Sequence, residues 1–261
     1  GLHDMKIITT TSGTHTFPAA VYYHAPGAAP DPAIFERVLF PVLFEGGGQQ
    51  GSQWRSEAVI SNPTPYTIEL ANAIAGPRLE LRERRVLEGE QYPHGIALLV
   101  PRAEADNLAF SLRARDVSRE SDNFGTEVPV VRESQMFRDS VLTLLDVPLD
   151  PRYRTKVRAY AFSDPIFLGL VNNNDVKLTV RRANGETIQQ FWTRSPVCEG
   201  ASCTATPGYL EFDLAPIGAG ERGDVYIQFT DGALGWAFAS VTNNETQQVT
   251  IISPNGRGGQ P

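Results

Sequence analysis

The sequence predicts an all-β protein: two tandem β-sandwiches behind an N-terminal β-hairpin segment. Three observations carry this. Short apolar runs rich in Val, Ile, Phe and Tyr recur along all 261 residues, and Gly 23 and Pro 19 supply turns between them. No stretch holds helical spacing over three turns. The chain also resembles itself, since GSQWRSEAVISNPTPYTIEL from Gly51 matches DPRYRTKVRAYAFSDPIFLG from Asp150.

Taken in order, MKIITTTSGTHTFPAAVYY reads as two strands and a turn, and with the four residues before it and His24 after it makes up the segment 1–24. It has the form of a closing hairpin whose domain lacks its first part. The chain opens on Gly1 with no initiator Met, as expected if a leader has been removed or the chain is a piece of a longer one. APGAAPDPA then opens a Pro- and Ala-rich, semi-rigid linker assigned to 25–36. Later strands announce themselves by strict alternation. Val176, Leu178 and Val180 share one face before an Asn184-Gly185 turn. Leu210, Phe212 and Leu214 do the same, as do Val225, Ile227 and Phe229, and Val249 and Ile251. AEADNLAFSLRA has helical composition, but Asp106 and Asn107 interrupt it and LAFSLRARDV works as a strand.

In the repeat, Trp54-Arg55-Ser56-Glu57 lies over Tyr153-Arg154-Thr155-Lys156, and Leu108 of LAFSLRARDVS over Leu234 of LGWAFASVTNN. Copy two is longer, and SPVCEGASCTATPG sits in the surplus. The expected layout is therefore β-sandwich 1 over 37–134, β-sandwich 2 with a Cys-loop insert over 135–254, and a tail over 255–261. Each unit has the size of an immunoglobulin-like module, so the predicted fold is two tandem immunoglobulin-like β-sandwich domains preceded by a β-hairpin/strand segment.

Two resemblances add to this. GSQWRSEAVISNP and AFASVTNNET resemble the start and end motifs of paired β-sandwich modules at the C-termini of secreted bacterial proteins. That likeness implies a secreted, bacterial-type setting and carries no activity with it. Separately, MKIITTTSGTHTFPAAVYY resembles the last strands of an IPT/TIG immunoglobulin-like domain, whose upstream part is absent here.

Composition narrows the function. The net charge is −7 and the densest basic stretch, RLELRERRVLEGE, balances four Arg with four Glu. It reads as a solvated, charge-balanced strand or turn, and nucleic acid is not an expected partner, because binding phosphates needs a cationic surplus. No apolar run is long enough to insert a helix into a membrane. Cys198 and Cys203, five apart in VCEGASC, suit a small loop-closing disulfide and an oxidising compartment; two free thiols in a loop is the alternative.

Catalytic chemistry is hard to find. The histidines His3, His15, His24 and His94 show no zincin spacing. EGGGQQGSQW lacks the Gly-Lys-Ser/Thr end of a phosphate loop and reads as a flexible loop before a strand. Asp146 and Asp150 form a carboxylate pair on paper, yet Pro148 and Pro151 make a turn the simpler reading. The oxygen-rich NNND and VTNNET read as turns rather than calcium loops, and the Arg222-Gly223-Asp224 tripeptide as a turn feeding a strand. Trp54 and Trp236 read as core. Trp192, beside the Cys-loop, is the candidate ligand-binding residue, since an exposed aromatic ring stacks on sugars.

The sequence thus points to a non-enzymatic protein needing no cofactor or metal. The expected role is an extracellular or cell-surface subunit of a layer, fibre or adhesive stalk. Ile7, Phe17, Val21 and Tyr22 of the hairpin are the candidate assembly residues, adding a strand to a neighbouring copy or another surface protein. The alternative is a glycan- or protein-binding module of a larger secreted chain.

Overall fold

A computed structural model describes residues 33–48, 51–71, 78–88, 92–118, 124–138, 140–162, 175–194, 206–230 and 233–254, and the backbone alone at 2–9 and 13–22. The linker, the NNND stretch and the Cys-loop, with Cys198 and Cys203, lie outside these residues.

The N-terminal strands β1 (Leu2–Thr9) and β2 (Gly13–Tyr22) pair antiparallel, with Ile7 opposite His15, Phe17 opposite Met5 and Tyr22 opposite Leu2. The register shifts between His3, opposite Val21, and Met5. β2 passes close to β6, defined below, yet the two strands form a sheet of their own among the described residues.

The first half runs through β3 (Phe35–Phe40), β4 (Glu45–Gly47), β5 (Gln53–Ser61), β6 (Ile68–Glu69), β7 (Arg78–Leu79), β8 (Arg84–Glu88), β9 (Ile96–Pro101), β10 (Ala109–Asp116), β11 (Thr126–Glu127) and β12 (Val131–Arg132). One sheet centres on β5, with β10 on one side and β4 and β8 on the other; the facing sheet is β12-β3-β9. β6 and β7 pair with each other, and the Ala71 amide after β6 donates to Leu99 of β9 at 3.1 Å. AEADNLAFSLRA resolves into a 3-10 turn, Ala105–Asn107, and then strand β10. RLELRERRVLEGE becomes β7, a turn and β8, with Arg78–Glu80 and Arg85–Glu83 ion pairs balancing it locally.

The second half runs through β13 (Phe137–Arg138), β14 (Val141–Pro148), β15 (Tyr153–Phe162), β16 (Asp175–Arg181), β17 (Thr187–Arg194), β18 (Gly208–Leu214), β19 (Arg222–Phe229), β20 (Leu234–Asn243) and β21 (Val249–Ile252). One sheet is β14-β19-β16-β17; the other centres on β15, between β18 and β20. The alternation expected from the sequence is obeyed: Val176, Leu178, Val180, Val225, Ile227 and Phe229 are all buried. Gly185 takes φ +84° in the β16–β17 turn, a conformation that favours glycine. Phe191 meets Phe212 at 5.6 Å and closes the sandwich between its sheets.

Both halves share one strand order. Counted without the short strands β4 and β13, the second strand of each half pairs with the fifth and seventh (β5 with β8 and β10, β15 with β18 and β20). In each, the first pairs with the sixth (β3 with β9, β14 with β19). An immunoglobulin sandwich instead places its first strand beside its second and its last beside its sixth. The chain is thus all-β, with antiparallel sheets packed in pairs, but its outer strands lie on the opposite sheets from the immunoglobulin order. The ladders also adjust the repeat. Trp54 lies opposite Asp116 and Tyr153 opposite Asn243, one residue further along than the match of Leu108 with Leu234 implies. One residue matters because it exchanges the two faces of a strand. The counterpart of buried Leu112 is Ala239, which pairs with Val157 inside the sandwich, and not Phe238.

The two halves share a continuous core. Tyr160 of β15 is fully buried and donates its hydroxyl hydrogen to the Pro41 carbonyl after β3. The Arg37 guanidinium of β3 stands 4.9 Å over the Phe162 ring, the His94 ring lies tilted against Tyr209 with centroids 4.6 Å apart, and Thr126 Oγ1 donates to the Val249 carbonyl at 2.8 Å.

A cleft between the halves and an unguarded sheet edge

Strand β15 alternates two kinds of residue. Thr155, Val157, Ala159 and Ala161 are buried, the interior set of the second sandwich, while Arg154, Lys156, Arg158 and Tyr160 occupy the intervening positions. At the Tyr160 end that outer face is sealed against the first half. Towards Arg154 it opens into a cleft of about 690 Å³. Phe44, Trp54 and Val128 of the first half line one wall; Lys156, Glu211 and Ser240 of the second half line the other.

The glycine run explains the apolar wall. EGGG enters β4 and pairs with β5, so it is strand rather than flexible loop as far as Gly47. A Cβ on Gly46 would stand 2.7 Å from the Phe44 ring, and one on Gly48 2.6 Å from the Trp54 ring. The missing side chains therefore leave space for two aromatic rings. Trp54 Nε1 donates to Ser52 Oγ at 3.1 Å, which fixes the indole.

The polar wall centres on Glu211. Its carboxylate accepts from Lys156 Nζ, from Arg158 Nε at 3.1 Å and from the Tyr209 hydroxyl at 2.6 Å. Lys156 also reaches Asp213 at 3.5 Å. Desolvation raises the Glu211 pKa, but the hydrogen bonds from Lys156, Tyr209 and Arg158 outweigh it and hold the group down to about 2. Burial, offset in part by Arg158, pushes the Tyr209 hydroxyl well above its usual value. Further along the cleft, Arg154 Nη2 donates to Gln247 Oε1 at 2.7 Å. The wall is thus charged but internally compensated.

The other sequence candidates fall elsewhere. Trp192 lies on edge strand β17 opposite Lys177, 64% exposed, with Lys177 Nζ 5.8 Å over its ring. Ile7, Phe17, Val21 and Tyr22 are spread along the hairpin ladder. Trp236 is buried as expected, against Tyr160 and Phe238; Trp54 is only half-buried. Asp146 and Asp150 do not converge. Asp146 pairs with Arg222, whereas buried Asp150 accepts from the Arg152 amide at 2.8 Å and the Gly220 amide at 2.6 Å. The Arg152 side chain and these amides hold the Asp150 carboxyl well below the usual carboxylate range. The Arg-Gly-Asp tripeptide is the paired start of β19, with Gly223 buried and Asp224 accepting from the Asp146 amide at 3.0 Å. Asn243 Oδ1 caps its own turn, accepting from the Glu245 and Thr246 amides. Among the described residues no three His, Cys, Asp or Glu side chains converge to hold a metal, and no helix is long and apolar enough to cross a membrane.

Sheet edges differ in how they are protected. β8 carries Arg84 and Arg85, and β18 carries the ion-paired Glu211 and Asp213. β14 is broken by a register shift between Leu144 and Val147, where Asp146 takes φ +57°. These are the devices that keep edges from recruiting further strands. β17 lacks them over most of its length. TIQQFWT, from Thr187 to Thr193, has no charge and no proline, and among the described residues its only ladder partner is β16.

No protein-family model, curated protein or solved structure matches the chain.

Proposed function

We propose that the chain is a non-catalytic structural subunit of an extracellular or cell-surface layer, fibre or stalk, joined to its neighbours by strand addition of the N-terminal hairpin. One observation carries this reading: bare strand edges occur in two places in one chain. Among the described residues β1 and β2 have no ladder partner but each other, and β17 presents seven uncharged residues, Thr187 to Thr193, along an open edge. An isolated two-stranded hairpin is marginal in water and gains from a third strand. Of the two hairpin strands, β2 matches β17 better: GTHTFPAAVY carries no Asp, Glu, Lys or Arg and one residue, Pro18, that cannot donate to a ladder, while β1 carries Asp4 and Lys6. Donor and acceptor on different parts of one surface give a head-to-tail contact that does not close, hence a fibre. The motif likeness to modules of secreted bacterial proteins supports the extracellular setting, and a Cys198–Cys203 disulfide fits it. The test is light-scattering mass of the full chain against a chain lacking residues 1–24. Large assemblies that disappear on deletion support the reading; monomers of both overturn it.

A second reading, a glycan- or protein-binding module, is favoured by Trp192, whose exposed ring with Lys177 over it is a platform for a sugar face or a partner's side chain. Loss of glycan-array binding on Trp192→Ala supports it; unchanged or absent binding counts against that site.

A further inference from the structure

We infer that the cleft between the two halves is a saccharide-binding site, distinct from Trp192 and independent of the assembly reading. Its volume, about 690 Å³, falls in the ordinary range of ligand pockets, and its place between two packed pairs of sheets is a common kind of site for them. The chemistry of its walls selects the ligand class. A sugar ring has an apolar C–H face and a rim of hydroxyls that donate and accept. The cleft has the same duality. Phe44 and Trp54, set by the glycine run, offer ring surface on one side. On the other, Arg154, Lys156 and Arg158 of β15, Ser240 and Thr242 of β20 and Glu211 of β18 stand on three neighbouring strands.

Charge argues against other small ligands. Two carboxylates, Glu211 and Asp213, sit among the three cations, and Glu211 is tied to Lys156 and Arg158. A polyanion such as a nucleotide would meet a wall already neutralised from within. A hydrocarbon ligand would strip water from ionised groups and offer them nothing in return. A hydroxyl-rich ligand uses the donor capacity left after these pairs are made: an ammonium has three N–H donors and a guanidinium five. Because the network holds the side chains before any ligand arrives, little ordering is left to do on binding.

The experiment is titration calorimetry of the full chain with cellohexaose, chitohexaose and an acidic hexamer, hexagalacturonate, each up to millimolar concentration. Thr242→Trp blocks the cleft from a half-exposed position, Lys156→Met removes a donor, and Trp192→Ala serves as control. The inference expects at least one hexamer to bind, the blocking variant to weaken it more than tenfold with an unchanged thermal midpoint, and Trp192→Ala to leave it unaltered. Preference for the acidic hexamer would identify the one surplus cation as part of recognition; equal binding of a neutral one would assign it to hydroxyls. No binding of any hexamer overturns the inference, and so does binding that survives both cleft variants or is lost with Trp192. If Thr242→Trp proves unstable, Lys156→Met alone decides.

Discussion

The Tyr160 hydroxyl hydrogen-bonds to the carbonyl of Pro41, a residue 119 positions earlier, and this contact ties the second half's outer sheet face to the first half's core. Tyr160 is fully buried, and its ring packs on Trp236 and Phe238. Removing the hydroxyl leaves the ring in place and the Pro41 carbonyl without that donor. Tyr160→Phe is expected to lower stability by about 1–3 kcal/mol in a denaturant titration.

Beside the same carbonyl, Gly95 holds φ +79°, and a Cβ there would stand 2.8 Å from the Pro41 oxygen. Gly95→Ala therefore meets both an unfavourable dihedral and a backbone atom that cannot swing away. A loss of about 1–3 kcal/mol is expected from the strain. A loss within experimental error would show that the turn relaxes freely.

Stability should fall at both ends of the pH scale, for opposite reasons. Glu211, at about 2, lies below its unfolded value, so its contribution is present above the unfolded pKa and is lost as pH drops from about 4.5 towards 2. Asp150 acts in the same direction. Tyr160 and Tyr209 are raised, so their contribution is complete below the unfolded tyrosine value near 10 and is lost as pH climbs above it. Melting curves across pH should show both limbs, and Glu211→Gln should flatten the acid one. An acid limb unchanged in that variant would remove Glu211 from its cause.

Guarding the β17 edge should block assembly without unfolding the chain. Gln190→Lys with Trp192→Lys adds two charges at exposed positions, as natural edges do. Light scattering should report monomers at an unchanged melting temperature. Full-size assemblies of this variant alongside monomers of the chain lacking residues 1–24 would place the acceptor on another edge.

Much of the fold was legible because half-buried strands write their burial into alternation. Val176 to Val180, the Asn184-Gly185 turn and Val225 to Phe229 follow from the sequence directly. The repeat was also visible, since Trp54-Arg55-Ser56 and Tyr153-Arg154-Thr155 begin equivalent strands. Strand order was not, because periodicity carries no information about which strands pair across the sandwich. The cleft was hidden for a related reason. Arg154, Lys156 and Arg158 alternate with buried residues as any solvent-facing set does, and only the docking of the two halves places Phe44 and Trp54 opposite them. One signal was present in advance: Gly46 and Gly48 flanked by Phe44 and Trp54, small residues leaving space for two rings.

The most direct test of the assembly account is a photo-crosslink. A benzophenone amino acid at position 190 of β17, in chains mixed with isotopically labelled wild type, reports what touches that edge in another copy. Strand addition by the hairpin predicts mixed-label crosslinks to residues 13–22. Crosslinks confined to one copy, or to segments outside the hairpin, would contradict it.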